Sequence, residues 1–251
     1  MLERDLRWAM DAASWAREAL GFVPDDWQAG VLCGGDERAL LNCSRQSGKS
    51  ATASLVALHT ATYVPGSLVL LLSPSLRQSG ELFRKVAGYY GQLEQPVPSD
   101  AETVLRLELR NGSRIISLPS SENTIRGYSN VNVIIVDEGS RVEDELFLAI
   151  RPMLAISRGR LIIMSTPSGK RGFFYDLWVG GEVWHRVKIT AYQCPRITQA
   201  FLDDERRTMP GAFYRQEYEC EFEENEGAVF LYEDLARMSR GDFKPLFGGV
   251  K

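Results

Sequence analysis

Residues 40–52 read LLNCSRQSGKSAT, and this stretch decides the fold. Leu40 and Leu41 are the apolar end of a short strand. Residues 44–48 are a small polar loop, and a helix starts at Lys49 or Ser50. The triplet Gly48-Lys49-Ser50 supplies the second half of the pattern G-x-x-x-x-G-K-[ST]. In that pattern backbone N–H groups at a helix N-terminus cradle phosphates, the lysine reaches the β- and γ-phosphates, and the hydroxyl binds Mg²⁺. Two letters are unusual. Cys43 stands where the pattern opens with glycine, and Arg45 sits inside the loop. Cys43 costs the backbone the freedom that glycine supplies. The opening turn survives if its φ need not be positive.

Around the loop, short buried strands alternate with helices. SLVLLLSPS (67–75), VNVIIVDEGS (131–140) and RLIIMSTPSG (160–169) are apolar runs of strand length, as strands covered on both faces should be. VWHRVKITAY (183–192) reads as a further strand. Helical patterns cover 2–20, 50–62 and 75–93. A last pair at 198–222 is divided at Met209-Pro210-Gly211. Gly21 and Pro24 end the first helix, and Asp25 or Asp26 caps the next. This alternation predicts an α/β fold with a mostly parallel sheet flanked by helices. TVLRLELRNGSRIISLP (103–119) alternates about Asn111-Gly112, which predicts an antiparallel edge hairpin. A two-residue turn there pairs Leu107 with Ile116 and Leu105 with Leu118.

The bulk properties narrow the class. The chain has 251 residues, 44% hydrophobic and 25% charged, with a net charge of −4. It can bury a full core. It lacks the excess of positive charge with which a protein coats nucleic acid, though a local basic patch is still compatible. No apolar run reaches the length of a membrane span, so no membrane partner is expected. Cys33, Cys43, Cys194 and Cys220 have no metal spacing, and only two histidines are present. These features predict a reduced, cytosolic protein without a zinc site.

Three further elements carry chemistry. The strand at 133–136 runs into Asp137-Glu138, as a nucleoside triphosphatase places an acidic pair opposite its phosphate loop. Asp137 would hold Mg²⁺, with Ser50, and Glu138 would polarise the attacking water. The strand at 161–164 ends in Ser165-Thr166-Pro167. Hydroxyls at a strand's carboxyl end can sense a γ-phosphate, although alone they describe an ordinary strand exit. Gln28, in VPDDWQ, offers an amide that can bond both edges of adenine.

In this order the elements resemble the large terminase subunit of tailed bacteriophages, over roughly residues 20–230. The most specific match is Ser44-Arg45-Gln46-Ser47-Gly48-Lys49-Ser50, similar to the family's Arg-Gln-x-Gly-Lys-Ser/Thr loop. Ser165-Thr166 match its coupling motif, and Gln28 its adenine-contacting glutamine. FYRQEYECEF (213–222) is similar to the segment that closes the family's ATPase region. Arg126, in an Arg-Gly ahead of the acidic strand, matches an arginine finger reaching into a neighbouring subunit. Arg45 is the alternative: inside the loop it could contact the γ-phosphate in cis, or lock the loop's shape through a carboxylate. The resemblance implies a P-loop ATPase of the ASCE type, with ATP as substrate and Mg²⁺ as cofactor, that packages double-stranded viral DNA. It implies a core over 1–180 and a small lid and linker over 181–251. The nuclease domain usual in the family has no room after Phe222, so either this is an excised ATPase region or a motor without its nuclease. No nuclease activity is expected.

The implied partners are double-stranded DNA, the portal protein, the small terminase subunit and further copies of the chain. Those copies would form a ring, a pentamer by resemblance, with lone monomers before assembly. The implied location is the cytoplasm of the infected host, docked transiently on the procapsid. Arg77, Arg106, Arg110 and Arg114 are candidate contacts to DNA phosphates. Other readings of the motifs are a helicase-like ATPase, which needs a second motor domain, and a nucleotide-binding scaffold, which needs no Glu138.

Overall fold

The computed structural model describes residues 2–93, 96–120, 125 and 127–224. The first expected helix is two: α1 (Leu2–Met10) and α2 (Ala12–Leu20). Asp11 separates them. Its carboxylate accepts the Ser14 N–H at 2.9 Å and the Ser14 hydroxyl at 2.5 Å. This local bonding offers the backbone an alternative to a continuous helix and makes Asp11 an N-cap. Next come α3 (Asp26–Cys33), capped at Asp25, then β1 (Arg38–Cys43) and α4 (Lys49–Tyr63). They are followed by β2 (Leu68–Ser73) and α5 (Leu76–Gln92).

The rest of the sheet is β3 (Ser99–Glu102), β4 (Arg106–Leu109), β5 (Arg114–Pro119), β6 (Val133–Asp137), β7 (Arg160–Ser165) and β8 (His185–Ile189). Two helices, α6 (Asp144–Ile150) and α7 (Gly172–Val179), flank β7 in sequence. The last described helices are α8 (Gln199–Thr208) and α9 (Gly211–Tyr218), parted at Met209-Pro210 as expected.

The eight strands form one sheet in the order β3-β4-β5-β2-β6-β7-β1-β8. From β5 to β8 all pairings are parallel; β3 and β4 add antiparallel pairings at one edge. This is the expected P-loop architecture. Alternate residues of the central strands supply two cores. Leu41, Leu71, Ile135 and Ile162 face the layer of α2–α5. Leu40, Leu70, Ile134 and Ile163 face α6 and α7. Burial on both faces is why these strands read as continuous apolar runs rather than alternating ones.

The hairpin departs from its expected register by one residue. Leu107 pairs with Ile115 and Arg106 with Ile116, so the loop has three residues, Arg110 to Gly112. Gly112 takes φ 82°, and its N–H bonds to the Leu109 carbonyl at 2.9 Å. This is a three-residue loop closed by a left-handed glycine. The shift faces Leu107 with Ile115 in the core, where a two-residue turn would have set Leu109 against Arg114. A one-residue slip decides which side chains are opposed, and burial chooses.

β8 lies beside β1 at the edge of the main sheet, so the segment after residue 180 begins with a strand of that sheet. Beyond it Ala191, Leu202, Tyr214 and Tyr218 make a small core of their own. No helix among the described residues is long and apolar enough to cross a membrane. All four cysteines are free; Cys43, Cys194 and Cys220 are buried and Cys33 is exposed.

Candidate active site

The neighbours β6, β7 and β1 are parallel, so their carboxyl ends open on the same edge of the sheet. β1 delivers the loop 44–48, β6 delivers Asp137-Glu138, and β7 delivers Ser165-Thr166. The edge beyond parallel strand ends is where open α/β sheets place ligands.

Cys43 is the last residue of β1, fully buried and in register with Ile189. The left-handed residues of the loop are Gln46 (φ 61°) and Gly48 (φ 95°), not Cys43. The glycine freedom missing at position 43 is therefore not needed there. Burial pushes the Cys43 thiol up to about 12, so it is an inert packing group. At Gly48 the backbone calls for glycine, and a side chain there would displace the end of Gln28. The Gly48 φ is positive, and an added Cβ would lie 2.7 Å from Gln28 Nε2.

The side chains expected to carry the chemistry meet. Lys49 Nζ lies 3.2 Å from Glu138 Oε1 and donates to Thr166 Oγ1 at 3.3 Å. Burial works to lower the Lys49 pKa, but the carboxylates of Glu138 and Asp137 hold the ammonium above its ordinary value. Ser50 donates to Asp137 Oδ2 at 3.3 Å. Burial pushes the Asp137 carboxyl up to about 6, against the pull of Lys49. A hydroxyl and a desolvated carboxylate side by side are hard oxygen donors, and a divalent cation would relieve the buried negative charge. The residues therefore fit Mg²⁺, whose usual sites combine one or two carboxylates with phosphate and water. No group of three or more His, Cys, Asp or Glu among the described residues forms a protein-only metal site.

Glu138 holds a left-handed backbone (φ 53°, ψ 43°), a strained conformation for a residue with a side chain. Its N–H bonds to Asp137 Oδ1 at 3.0 Å, and Arg141 donates to its Oε2 at 2.5 Å. Ser140 ties this turn to β7. Its N–H donates to Ser165 Oγ at 3.1 Å, and its hydroxyl donates to the Thr166 carbonyl at 2.7 Å.

The loop is also gripped from the C-terminal side. Arg45 Nε pairs with Glu217 Oε2 at 2.5 Å, and the Arg45 N–H bonds to the Glu217 carbonyl at 3.1 Å. Glu217 is buried on α9. Arg196 donates to the Ser47 carbonyl at 3.0 Å. Ser44 and Ser47 are buried within the loop, and Gln28 is buried beside it. Ser140, Arg141, Arg196 and Glu217 are absent from the sequence reading. Ser140 and Arg141 follow the acidic pair directly and could have been flagged by position. Arg196 carries no local signal, and Glu217 lies in FYRQEYECEF (213–222), where the resemblance singles out the segment but not the residue.

Arg126 lies outside the described residues. Of the arginines proposed for DNA, Arg106, Arg110 and Arg114 stand on the hairpin and Arg77 on α5. Arg106 is bonded to Glu108, and Arg110 lies 3.4 Å from Asp100. Arg77 is exposed at the start of α5, and Arg114 opposes Glu108 in the β-ladder.

Residues 40–237 match the family model described as terminase large subunit, T4likevirus-type, N-terminal. A curated relative, the large terminase subunit of Thermus phage G20c, is 25% identical over 258 residues, covering 87% of this chain and 52% of the relative. The chain thus spans about half the length of the curated relatives it matches. The fold is similar to the large terminase ATPase domain of Thermus phage P74-26, with a TM-score of 0.73 at 23% identity, over 82% of this chain and 97% of that one. It is also similar to the large terminase of another thermophilic bacteriophage, in complex with ATP-γ-S, with a TM-score of 0.59 at 11% identity, over 85% of this chain and 52% of that one. With the loop, the acidic strand end and the hydroxyl pair converging on one sheet edge, this chain belongs to the phage large terminase subunit family, matching its N-terminal region.

Proposed function

We propose that this chain hydrolyses ATP to ADP and phosphate, with Mg²⁺, to drive packaging of double-stranded viral DNA into a procapsid. The observation that carries the reading is the contact set of Lys49 with Glu138 and Thr166, beside Ser50 and Asp137. Lys49 and the loop amides bind the phosphates, with Ser44, Arg45, Gln46, Ser47 and Gly48 forming the cradle. Gln28 contacts adenine. Mg²⁺ held by Ser50 and Asp137 supplies charge neutralisation at the phosphates. In this structure Glu138 is shared between Lys49 and Arg141. When Lys49 turns to the phosphates, one carboxylate oxygen is released to orient water and accept its proton. Arg126 from a neighbouring subunit, or Arg45 in cis, neutralises charge on the γ-phosphoryl oxygens.

Ser165 and Thr166 report hydrolysis outward, because Ser140 bonds them to the turn that carries Glu138. Double-stranded DNA is gripped through its phosphates; Arg77 and Arg114 have no carboxylate partner among the described residues and are better placed for this than Arg106 and Arg110. The portal protein and small terminase subunit are the other partners, in a ring of this chain docked on the procapsid in the host cytoplasm.

The test is ATP turnover with and without duplex DNA. Glu138→Ala should abolish turnover while keeping ATP binding, and Lys49→Ala should lose both. Wild-type turnover in Glu138→Ala would sink the assignment.

A further inference from the structure

We propose that Arg196 is a positioning residue for nucleotide binding: it locks the start of α3, and with it Gln28, against the phosphate loop. The inference rests on the ATP reading above. The Arg196 guanidinium takes the Asp25 carboxylate in a fork, NH1 to Oδ1 at 3.0 Å and NH2 to Oδ2 at 2.6 Å. The same NH2 donates to the Ser47 carbonyl at 3.0 Å. One planar group therefore bridges the N-cap of α3 and the residue before Gly48. A half-exposed ion pair by itself is worth little. The third bond distinguishes this one, since a lysine ammonium lacks the rigid fork that satisfies all three acceptors together.

The bridge fixes Gln28 by a short path. The Asp25 N–H donates to Gln28 Oε1 at 2.9 Å. That bond orients the amide so that Nε2 faces Gly48, 2.7 Å from where a Cβ would stand. Gln28 Nε2 is buried and has no hydrogen-bond partner among the described residues. A buried donor beside a phosphate loop is suited to an acceptor on the ligand. Arg196 NH2 lies 3.5 Å from the same Gly48 position, so both groups close on one glycine. The next residue, Ile197, packs against both the main core and the small core of α8 and α9. The place of Arg196, and so of Gln28, follows the C-terminal helix pair. Nucleotide affinity is thereby tied to where that pair sits.

The experiment is fluorescent-ATP titration with steady-state ATP and GTP hydrolysis on the full chain. Arg196→Ala should weaken ATP binding about tenfold, with a smaller change in kcat, because the contact acts on the bound nucleotide through Gln28. The preference for ATP over GTP should narrow, and Arg196→Lys should fall between wild type and alanine. In a double-mutant cycle, adding Gln28→Ala to Arg196→Ala should cost far less than it does alone. If Arg196→Ala does not fold, Asp25→Asn, which keeps the cap acceptor and removes the charge, should shift affinity in the same direction. Wild-type ATP affinity in a folded Arg196→Ala, or full additivity with Gln28→Ala, overturns the proposal alone. Failure of the wild-type chain to bind ATP overturns the ATP reading and this inference together.

Discussion

The hairpin tip at 110–112 and the phosphate loop at 44–48 both use a left-handed glycine, and they are held in different ways. At the tip, the Ser113 N–H donates to Asn111 Oδ1 at 3.0 Å and Gly112 closes onto the Leu109 carbonyl at 2.9 Å. Those partners are three residues away or fewer; the bonds from Asn111 Nδ2 to the Ala61 carbonyl, from the Gly66 N–H to the Asn111 carbonyl and from the Arg110 N–H to the Pro98 carbonyl dock the turn on its surroundings. The phosphate loop takes its partners from afar. Ser44 bonds to Ile189, Arg45 to Glu217, Ser47 to Arg196, and Gly48 abuts Gln28. A local turn can form before the fold does. A cradle whose walls come from α3, β8 and α9 exists only when they have docked.

The two glycines offer the sharpest break of this comparison. Gly48→Ala should weaken ATP binding at least about tenfold, since it strains a positive φ and displaces the Gln28 amide together. Titration of ATP reads this directly. Gly112→Ala should leave ATP binding as in wild type and lower stability by about 1 kcal/mol, seen in a denaturant melt. Equal losses of ATP affinity in both variants would erase the distinction between the loops.

Ser140 probes the distant kind of support at the catalytic turn. Ser140→Ala removes the hydroxyl's contacts with Ser165 Oγ and the Thr166 carbonyl, both at 2.7 Å, keeps the backbone N–H bond to Ser165, and should cost about 1–2 kcal/mol. It should slow turnover more than it weakens ATP binding, because the strained Glu138 turn loses its tether. A variant with wild-type kcat would show that the tether is only structural.

The smallest effect belongs to a local device. Hydrogen bonds from Ser14, side chain and backbone, hold the Asp11 carboxyl at about 2, below the ordinary 3.8. A lowered folded pKa means that its contribution is complete above about pH 4 and is lost as pH falls toward 2. Asp11→Ala should cost about 1 kcal/mol at neutral pH, allowing for solvent screening of this partly exposed cap. The gap in Tm between wild type and variant should close between pH 4 and 2. A gap that persists at pH 2 would assign the effect to something other than the charged cap.

Much of the fold was legible because burial writes itself into composition. Strands covered on both faces are apolar through their length between the ends, as 68–72 of β2, 133–136 of β6 and 161–164 of β7 are. The break at Asp11 was missed because the apolar spacing of 2–20 continues across it. The hairpin was found but slipped by one residue, because Asn-Gly signals a turn without fixing its length. β3, with the sequence SDAE, is exposed along most of its length and leaves no apolar trace. At the site, Lys49, Ser50, Asp137 and Glu138 stood out because the proposed chemistry demands those types at a helix start and a strand end. Arg196 and Glu217 did not, because an arginine and a glutamate in polar segments read as solvated surface.

By itself, the sequence determined the strands of the sheet and named the candidate groups that gather at its edge, since both depend on residue type and local order. It also carried, in Arg45 and Gln46, the resemblance to a particular kind of phosphate loop. Only the tertiary structure decided how that loop keeps its shape. The opening glycine is dispensable because β1 runs straight through Cys43 to meet Ile189. The turn is made later, at Gln46 and Gly48, and is fixed from outside by charged groups remote in the chain. Such contacts leave no periodicity to read, because they depend on where two separately folded segments come to rest.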